Sequence, residues 1–347
     1  MRILVTGHLG FIGTLMVPTL RQAGHEIVGL DSDFYEASSF STDITPVPHL
    51  QGDIRDVQSS DLAGFDAVIH LAALSNDPLG NLDPELTYDI NHLGTIHLAE
   101  AAKRAGVRRF LFSSSCSNYG ASGDQLLTEG AAFNPVTPYG RSKVLAEQDL
   151  LGLADSRFCP VLMRSATAYG VSPRIRFDLV LNNLTAWAVT SGRIYIKSDG
   201  TPWRPVVHAE DICRAFLAAV EAPEDVVRNE AFNVGRTSEN YRVRDLAEFV
   251  RQTVPGCTID YATDASPDTR NYRVSCDKIA TVLPAFQPRW TASHGVRQLY
   301  DAFVHHDLRV EDFEGPRFRR IDRIKTLLAD GRLDRSLRWV TARGAVR

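Results

Sequence analysis

Along residues 1–160, short apolar and β-branched runs alternate with stretches whose apolar positions recur at helical spacing. The runs Arg2–Thr6, Glu26–Leu30, Ala67–Leu71, Arg109–Ser113 and Val161–Arg164 predict strands. Phe11–Gln22, Leu86–Ala105 and Pro138–Leu153 predict the helices between them. Strand and helix in alternation require a parallel sheet with helices on both faces, and right-handed crossovers then give a doubly wound order. The expected fold class is α/β. Beyond Tyr169-Gly170 the rhythm loosens, and the segments shorten and carry more Pro and Arg. Residues 171–300 therefore read as a smaller lobe, interleaved with late strands of the main sheet from about 205–235. Asp211–Val220 and Arg244–Gln252 read as helices.

Composition narrows the picture without redirecting it. A chain of 347 residues, 44% hydrophobic and 23% charged, has the length and make-up of a soluble globular protein. A net charge of −4 gives no general reason to bind nucleic acid or an anionic membrane. The exception is the end of the chain, where ten Arg or Lys face three Asp from Arg317 to Arg347. Residues 301–347 accordingly read as an appended basic helical tail, in which the segment from Phe313 onward is a solvated helix pair turning at Gly331. Five scattered cysteines with no Cys-x-x-Cys pair argue against a disulfide framework and against a structural metal site. The apolar strand begins at the second residue, leaving no room for a signal peptide, and no apolar run approaches the roughly 20 residues of a membrane span. A cytoplasmic protein is expected.

The first chemical signal is Thr6-Gly7-His8-Leu9-Gly10-Phe11-Ile12-Gly13, which follows a strand and opens a helix. In that setting the glycines have distinct uses: Gly7 for the tight turn, Gly10 for close approach of a pyrophosphate, Gly13 for helix–sheet contact. The pattern predicts a Rossmann dinucleotide site. The next strand leads to Asp31, an acid suited to ribose hydroxyls and repellent to a 2′-phosphate. No Lys or Arg occurs from Gln22 to Ile54, so NAD is favoured over NADP. Asp53, in Gly52-Asp53-Ile54, is placed either to meet the adenine amine or as a surface carboxylate.

The second signal is Tyr139 with Lys143, one turn apart on a helix that starts after Thr137-Pro138. An ammonium beside a phenol lowers its pKa and makes it a usable acid/base. Ser115 follows the strand Arg109–Ser113, whose carboxyl end shares the same sheet edge, and its hydroxyl is placed to hold a substrate oxygen.

With Gly7-x-x-Gly10-x-x-Gly13, Asp31, Asp53, His70-Leu71-Ala72-Ala73, Asn91, Ser113-Ser114-Ser115, Tyr119-Gly120 and Tyr139-Gly140-x-Ser142-Lys143, the chain resembles the extended short-chain dehydrogenase/reductases. Arg164, Tyr169-Gly170 and Arg204-Pro205-Val206-Val207-His208-x-x-Asp211 continue the likeness, which covers about residues 1–295 and points to the NDP-sugar epimerase and dehydratase branch. The resemblance implies a Rossmann domain over residues 1–170, a substrate-binding lobe over 171–300, and Ser115, Tyr139 and Lys143 as catalytic residues. It implies NAD held by Gly7, Leu9, Gly10, Phe11, Ile12, Gly13, Asp31, Asp53, Ile54, Leu71, Ala72, Ala73 and Asn91 together with Tyr139 and Lys143. A nucleotide sugar would meet Ser75, Ser115, Cys116, Ser117, Thr167, Asn182, Arg204 and Asp268, with Arg204 gripping its diphosphate. His208 reads as structural rather than catalytic, since it has no evident partner.

Departures from the family bear on the substrate. The 4,6-dehydratases of this branch place Asp-Glu directly after the catalytic Ser or Thr, and the related decarboxylases carry Glu at the second position. Here Cys116 and Ser117 stand there, small residues that epimerases tolerate. The catalytic cysteine of GDP-fucose synthases and GDP-mannose 3,5-epimerases falls at Ser117, one place after Cys116. Cys116 is thus either an acid/base or a buried thiol turned away by that shift. Thr167 replaces an Asn common in the branch, and Asp268 lacks the usual upstream Arg, for which Arg270 or Arg273 stands in. The expected activity is NAD-dependent epimerisation of a nucleotide sugar through a transient ketone. The alternatives are a net NDP-sugar dehydrogenase or 4-ketoreductase and a non-catalytic dinucleotide sensor. The family's habit of pairing two long helices per subunit implies a homodimer through Leu86–Ala105, with its Ile90, Leu93, His97, Leu98 and Ala101, and Pro138–Leu153. The same stripe also suits a buried core helix.

Overall fold

A computed structural model describes residues 1–75, 80, 83–262 and 270–340. The strands β1 (Arg2–Thr6), β2 (Glu26–Asp31), β3 (His49–Gln51), β4 (Ala67–His70) and β5 (Arg109–Ser115) belong to its main sheet. β6 (Ala121–Leu127) leaves that sheet, and β7 (Cys159–Ser165) returns to it. With β11 (Ala231–Val234) the seven strands lie in the order β11-β7-β5-β4-β1-β2-β3, every pair parallel. This is the doubly wound sheet that the alternating pattern requires. The five expected strands all form, each within two residues of its expected ends. β3 gives no signal in the sequence because its three residues form an exposed edge with no apolar face.

Alternation along β1 divides the core. Ile3 and Val5 pack with Met16 and Leu20 of α1 (Gly13–Gln22) on one face, whereas Leu4 faces Val68, Phe110 and Leu98 on the other. The second face is covered by α3 (Gly94–Arg104) and α4 (Pro138–Gly152), and α2 (Pro84–Tyr88) leads into α3 through a π-helical turn Asp89–Leu93. The order in which strands are added reverses between β1 and β4, so their carboxyl ends open a cleft at the switch point.

The smaller lobe pairs β10 (Trp203–His208) with β8 (Thr167–Tyr169) and β12 (Asn240–Arg242), and β9 (Arg193–Ile196) with β13 (Thr258–Tyr261). β14 (Asn271–Val274) pairs with β6 and ties the lobe to the sheet. The lobe's core joins α5 (Val180–Ser191), α8 (Val243–Thr253) and α10 (Ala292–His305) through Leu184, Ile194, Leu246, Val250, Leu299 and Phe303. Among the other helices, α6 (Ala209–Glu221) covers the main sheet, and α7 (Glu224–Val227), α9 (Asp277–Val282) and α11 (Val310–Phe313) are short.

The tail differs from the solvated helix pair expected of it. α12 (Arg320–Ala329) is amphipathic and buries Ile324 and Leu327, which join Leu333, Leu337, Leu74 and Ile90 in one cluster. Each such side chain is worth about 1.5–3 kcal/mol when buried, enough to dock the segment across the cleft despite its charge. The cations stand outward or at the cleft rim while the apolar stripe faces in. Gly331, at φ +65°, does make the turn that ends α12. No described helix is long and apolar enough to cross a membrane.

Candidate active site

The cleft at the switch point has a volume of about 1080 Å³. Its floor is the glycine turn. Gly7 adopts φ +72° and donates to the Leu30 carbonyl at 2.8 Å, and a Cβ there would meet the Ala72 nitrogen at 2.7 Å. A Cβ on Gly13 would collide with the Gly7 carbonyl, so only glycine lets α1 start this close to the turn. The Phe11 and Ile12 amides, at the entry to α1, donate to no protein atom among the described residues. Such orphan donors at a helix N-terminus suit a diphosphate.

At the end of β2, Asp31 accepts hydrogen bonds from the Leu9 amide at 3.0 Å and the Asp33 amide at 2.9 Å, which aims its carboxylate at the cleft. Leu9, Gly10, Phe11, Ile12, Ile54, Leu71, Ala72 and Ala73 line the same space. Asp53 also lines it, but Arg55 grips its carboxylate at 2.6 Å and reaches Asp89 at 2.6 Å. That pairing holds the Asp53 carboxyl below its usual range, against the opposing effect of burial. A dinucleotide thus fits the donor set on this floor, with Asp31 the free-standing acid and Asp53 already engaged.

The catalytic candidates converge on the opposite wall. β5 delivers Ser115, whose Oγ accepts from the Ser117 amide at 3.1 Å. Thr137 caps α4 by accepting from the Gly140 amide at 3.2 Å, with Pro138 in the first turn. The cap fixes where Tyr139 and, one turn on, Lys143 emerge. Lys143 is buried, donates to the Ser113 carbonyl at 2.8 Å and stands 5.8 Å from the Tyr139 ring centre. Burial pulls its pKa down to about 7, with Glu147 opposing. Beneath this wall Glu147 and Arg164 form a buried pair at 2.6 Å, which also binds Ser114, Asn118 and the Tyr119 hydroxyl. The Arg164 of the sequence motif is therefore structural.

On the substrate side, Ser75, Ser117, Thr167 and Arg204 line the cleft. The Ser117 and Ser165 hydroxyls are buried without a hydrogen-bond partner among the described residues and face the same space. Arg204 donates to the Trp203 carbonyl at 2.8 Å and to the Arg270 carbonyl.

Three expected contacts lie elsewhere. Cys116 is wholly buried in the sheet core, its Sγ donating to the Arg164 carbonyl at 3.1 Å, and desolvation raises its pKa well above the usual thiol range. Asn182 spends its amide on the Gly170 backbone and the Arg176 carbonyl, as corner glue for the chain after β8. Asn91 holds Leu74 from both sides, accepting from its amide at 2.8 Å and donating to its carbonyl at 3.0 Å, so it shapes the β4 loop and does not line the cleft. Asp268 lies outside the described residues. His208 caps α6 and stacks on Trp290 at 4.1 Å, the structural part expected of it.

Other cleft residues were not among those expected from the sequence. Arg176 is clamped by Asp178 at 2.6 Å and donates to Ser75 at 3.1 Å. The Arg174-x-Arg176-x-Asp178 spacing after Tyr169-Gly170 was the available clue. Tyr35, Arg319, Arg320 and Lys325 reach the cleft too, the last three from the tail. For these the clue was the apolar spacing of Ile321, Ile324 and Leu327–Leu328, which marks a docked helix.

A sequence profile of the NAD dependent epimerase/dehydratase family matches residues 3–235. A UDP-glucose 4-epimerase of Neisseria meningitidis serogroup A is 32% identical over 292 residues, 75% of this chain and 84% of that protein. A dTDP-D-glucose 4,6-dehydratase of Mus musculus is 28% identical over 318 residues, 86% of this chain and 87% of that one. Among solved structures, MoeE5 in complex with UDP-glucuronic acid and NAD superposes with a TM-score of 0.75 at 26% identity, covering 89% of this chain and all of that one.

Proposed function

The chain belongs to the NAD dependent epimerase/dehydratase family, and from that premise we propose that it is an NAD-dependent epimerase of a nucleotide-activated sugar, working through a transient keto sugar. The observation that carries the reading is one cleft containing the glycine turn, Asp31, Ser115, Tyr139 and Lys143, with Cys116 and Ser117 where an elimination would need an acid pair. The bound nicotinamide supplies reversible hydride acceptance. Tyr139 takes the proton from the sugar hydroxyl as the carbinol is oxidised and returns it after the ketone has presented its other face. Ser115 hydrogen-bonds the same oxygen and fixes it over Tyr139, while the field of Lys143 stabilises the phenolate. Arg204, with a planar fork that meets phosphate oxygens in pairs, is assigned the sugar's diphosphate, and Ser75, Ser117 and Thr167 the sugar.

The same reading divides the chain into a cofactor half, residues 1–170 with strands from about 205–235, and a substrate half over 171–300. It also takes the protein as a cytoplasmic homodimer. Five free, buried cysteines suit a reducing compartment, and the dimer rests on apolar side chains left exposed on two neighbouring helices.

Mass and redox state are conserved by an epimerase. A panel of nucleotide sugars followed by NMR should therefore show an isomer of one substrate, with no loss of water and no stoichiometric NADH. In D₂O, inversion at the oxidised carbon incorporates no deuterium, whereas inversion beside it passes through an enediol and incorporates one. Release of water, or accumulation of NADH, would overturn the assignment in favour of a dehydratase or a dehydrogenase.

A further inference from the structure

The tail brings cations into the cleft from beyond the residues that match the family profile. Phe318 packs 5.0 Å from Phe177 and 6.4 Å from Phe40, in one cluster that also holds Phe11 of the glycine turn. This anchor sets the start of α12 at the cofactor floor. Arg320, the first residue of α12, stands 4.6 Å from the centre of the Tyr35 ring and lines the cleft. Among the described residues it makes no hydrogen bond or ion pair. Burial, and then the neighbouring Arg176, pull its pKa down to about 10.

A half-buried guanidinium without a hydrogen-bond acceptor carries a desolvation cost. Arg320 is held there by other contacts of the same segment. Arg323 donates to the Phe34 carbonyl at 3.2 Å, Trp339 to the Ser32 carbonyl at 2.6 Å, and Arg55 to the Ser336 carbonyl at 2.9 Å. The first two fasten the tail to the chain just after Asp31, the ribose end of the site, and the third fastens it to the Asp53 loop. The same cleft holds the unpartnered Phe11 and Ile12 amides at the opening of α1. An anion that reached from these amides to Arg320 across the shared cleft would satisfy both. We propose that Arg320 is the counter-cation of the dinucleotide's diphosphate, and that residues 313–340 form an outer wall of the cofactor site that retains the bound cofactor. The proposal rests on the reading of this cleft as a nicotinamide dinucleotide site. The fork geometry of arginine and the charge of a diphosphate are matched, and Asp31 beside it disfavours a 2′-phosphate as the anion.

A nucleotide sugar also carries a diphosphate, so the test separates the two. Full-length protein stripped of cofactor is titrated with NAD⁺, ADP-ribose, adenosine and UDP. Arg320→Gln should weaken NAD⁺ and ADP-ribose by about 10- to 100-fold and leave adenosine and UDP within about twofold. Arg320→Lys should recover part of the loss, because the charge returns without the fork. Arg335→Gln, which removes the same charge from an exposed position of the tail, should match the wild type. Melting of the unliganded Arg320→Gln protein should be no lower than that of the wild type, which excludes a folding defect. Unaltered NAD⁺ and ADP-ribose affinity in a normally melting Arg320→Gln protein overturns the proposal. So does a loss confined to UDP, which would assign Arg320 to the substrate, or an equal loss for adenosine, which would make its role packing. A wild-type chain that binds neither NAD⁺ nor ADP-ribose would instead sink the reading of the cleft itself, and the wall with it.

Discussion

Lys143 is a buried amine whose one acceptor among the described residues is the Ser113 carbonyl, and its burial favours the neutral form. In the unfolded chain a lysine titrates near its ordinary value of about 10.4, whereas the folded value lies at about 7. Below the folded value both states hold the proton, and the folded state bears the whole cost of burying it. Between the two values the unfolded chain binds a proton that the folded chain lacks, so stability rises with pH across that window. Lys143→Met has no such titration. Unliganded Lys143→Met should therefore be more stable than wild type below neutrality, and its advantage should shrink toward about pH 10; urea titrations at several pH values would expose a constant difference. The Tyr139 hydroxyl has a separate role. Tyr139→Phe keeps the ring and should lower turnover by about 10²–10⁴ with unchanged melting. Cys116→Ala, by contrast, removes a thiol that faces the core and the Arg164 carbonyl. Turnover should stay within about threefold of wild type while stability drops by on the order of 1 kcal/mol; a hundredfold loss of turnover would restore Cys116 as an acid/base.

Elements place these groups, and two contacts show how. The Thr137 cap and the Glu147–Arg164 pair both act on α4, one at its start and one beneath its middle. Thr137→Ala should cost about 1 kcal/mol. Glu147→Gln leaves Arg164 buried without its counter-ion and should cost about 3 kcal/mol. Chemical denaturation of both variants checks the order, and equal effects would mean that the pair is already relaxed by its Tyr119 and Glu129 contacts. The cap was readable in Thr137-Pro138, and β1, β2, β4, β5 and β7 were readable because each is an apolar run between turns. The Glu147 pairing was not. It joins positions 17 residues apart through a helix–strand contact that no local spacing encodes. Asn182 shows the converse limit, since a family pattern places an Asn near the substrate while this backbone consumes its amide at the Gly170 corner. The absence of Lys and Arg from Gln22 to Ile54 is real locally, yet the fold sets Arg174 beside Asp33 at 3.4 Å and Arg320 over Tyr35. A charge count along the chain cannot see cations delivered from 140 and more residues away. The tail misled for a related reason: its charge excess is conspicuous, while the apolar stripe that docks it is short.

At the scale of the whole molecule, the apolar stripe on residues 86–105 divides between two destinations. Ile90, Leu98 and Ala101 are buried within the subunit, and His97 Nε2 donates to the Val57 carbonyl at 2.9 Å, so most of the stripe serves the chain's own core. Leu93 does not. It is 56% exposed, and on the neighbouring α4 Leu145 and Leu151 are 38% and 40% exposed. The two helices are bound to each other through His92 and Asp149 at 2.6 Å, which fixes these leucines on one rigid pair. Large aliphatic side chains left partly in water on adjacent helices each forgo a share of the about 1.5–3 kcal/mol that full burial is worth. A second copy related by a two-fold axis would bury the same set from both sides at once. The chain should thus run as a dimer in light scattering at micromolar concentration. Leu93→Asp combined with Leu145→Asp should give a monomer, because each charge would be desolvated twice in a symmetric interface. Neither residue lines the cleft, so the monomer should keep its affinity for NAD⁺ while its melting temperature falls and becomes independent of protein concentration. A wild-type monomer, or a double variant that remains dimeric, would refute this face as the interface.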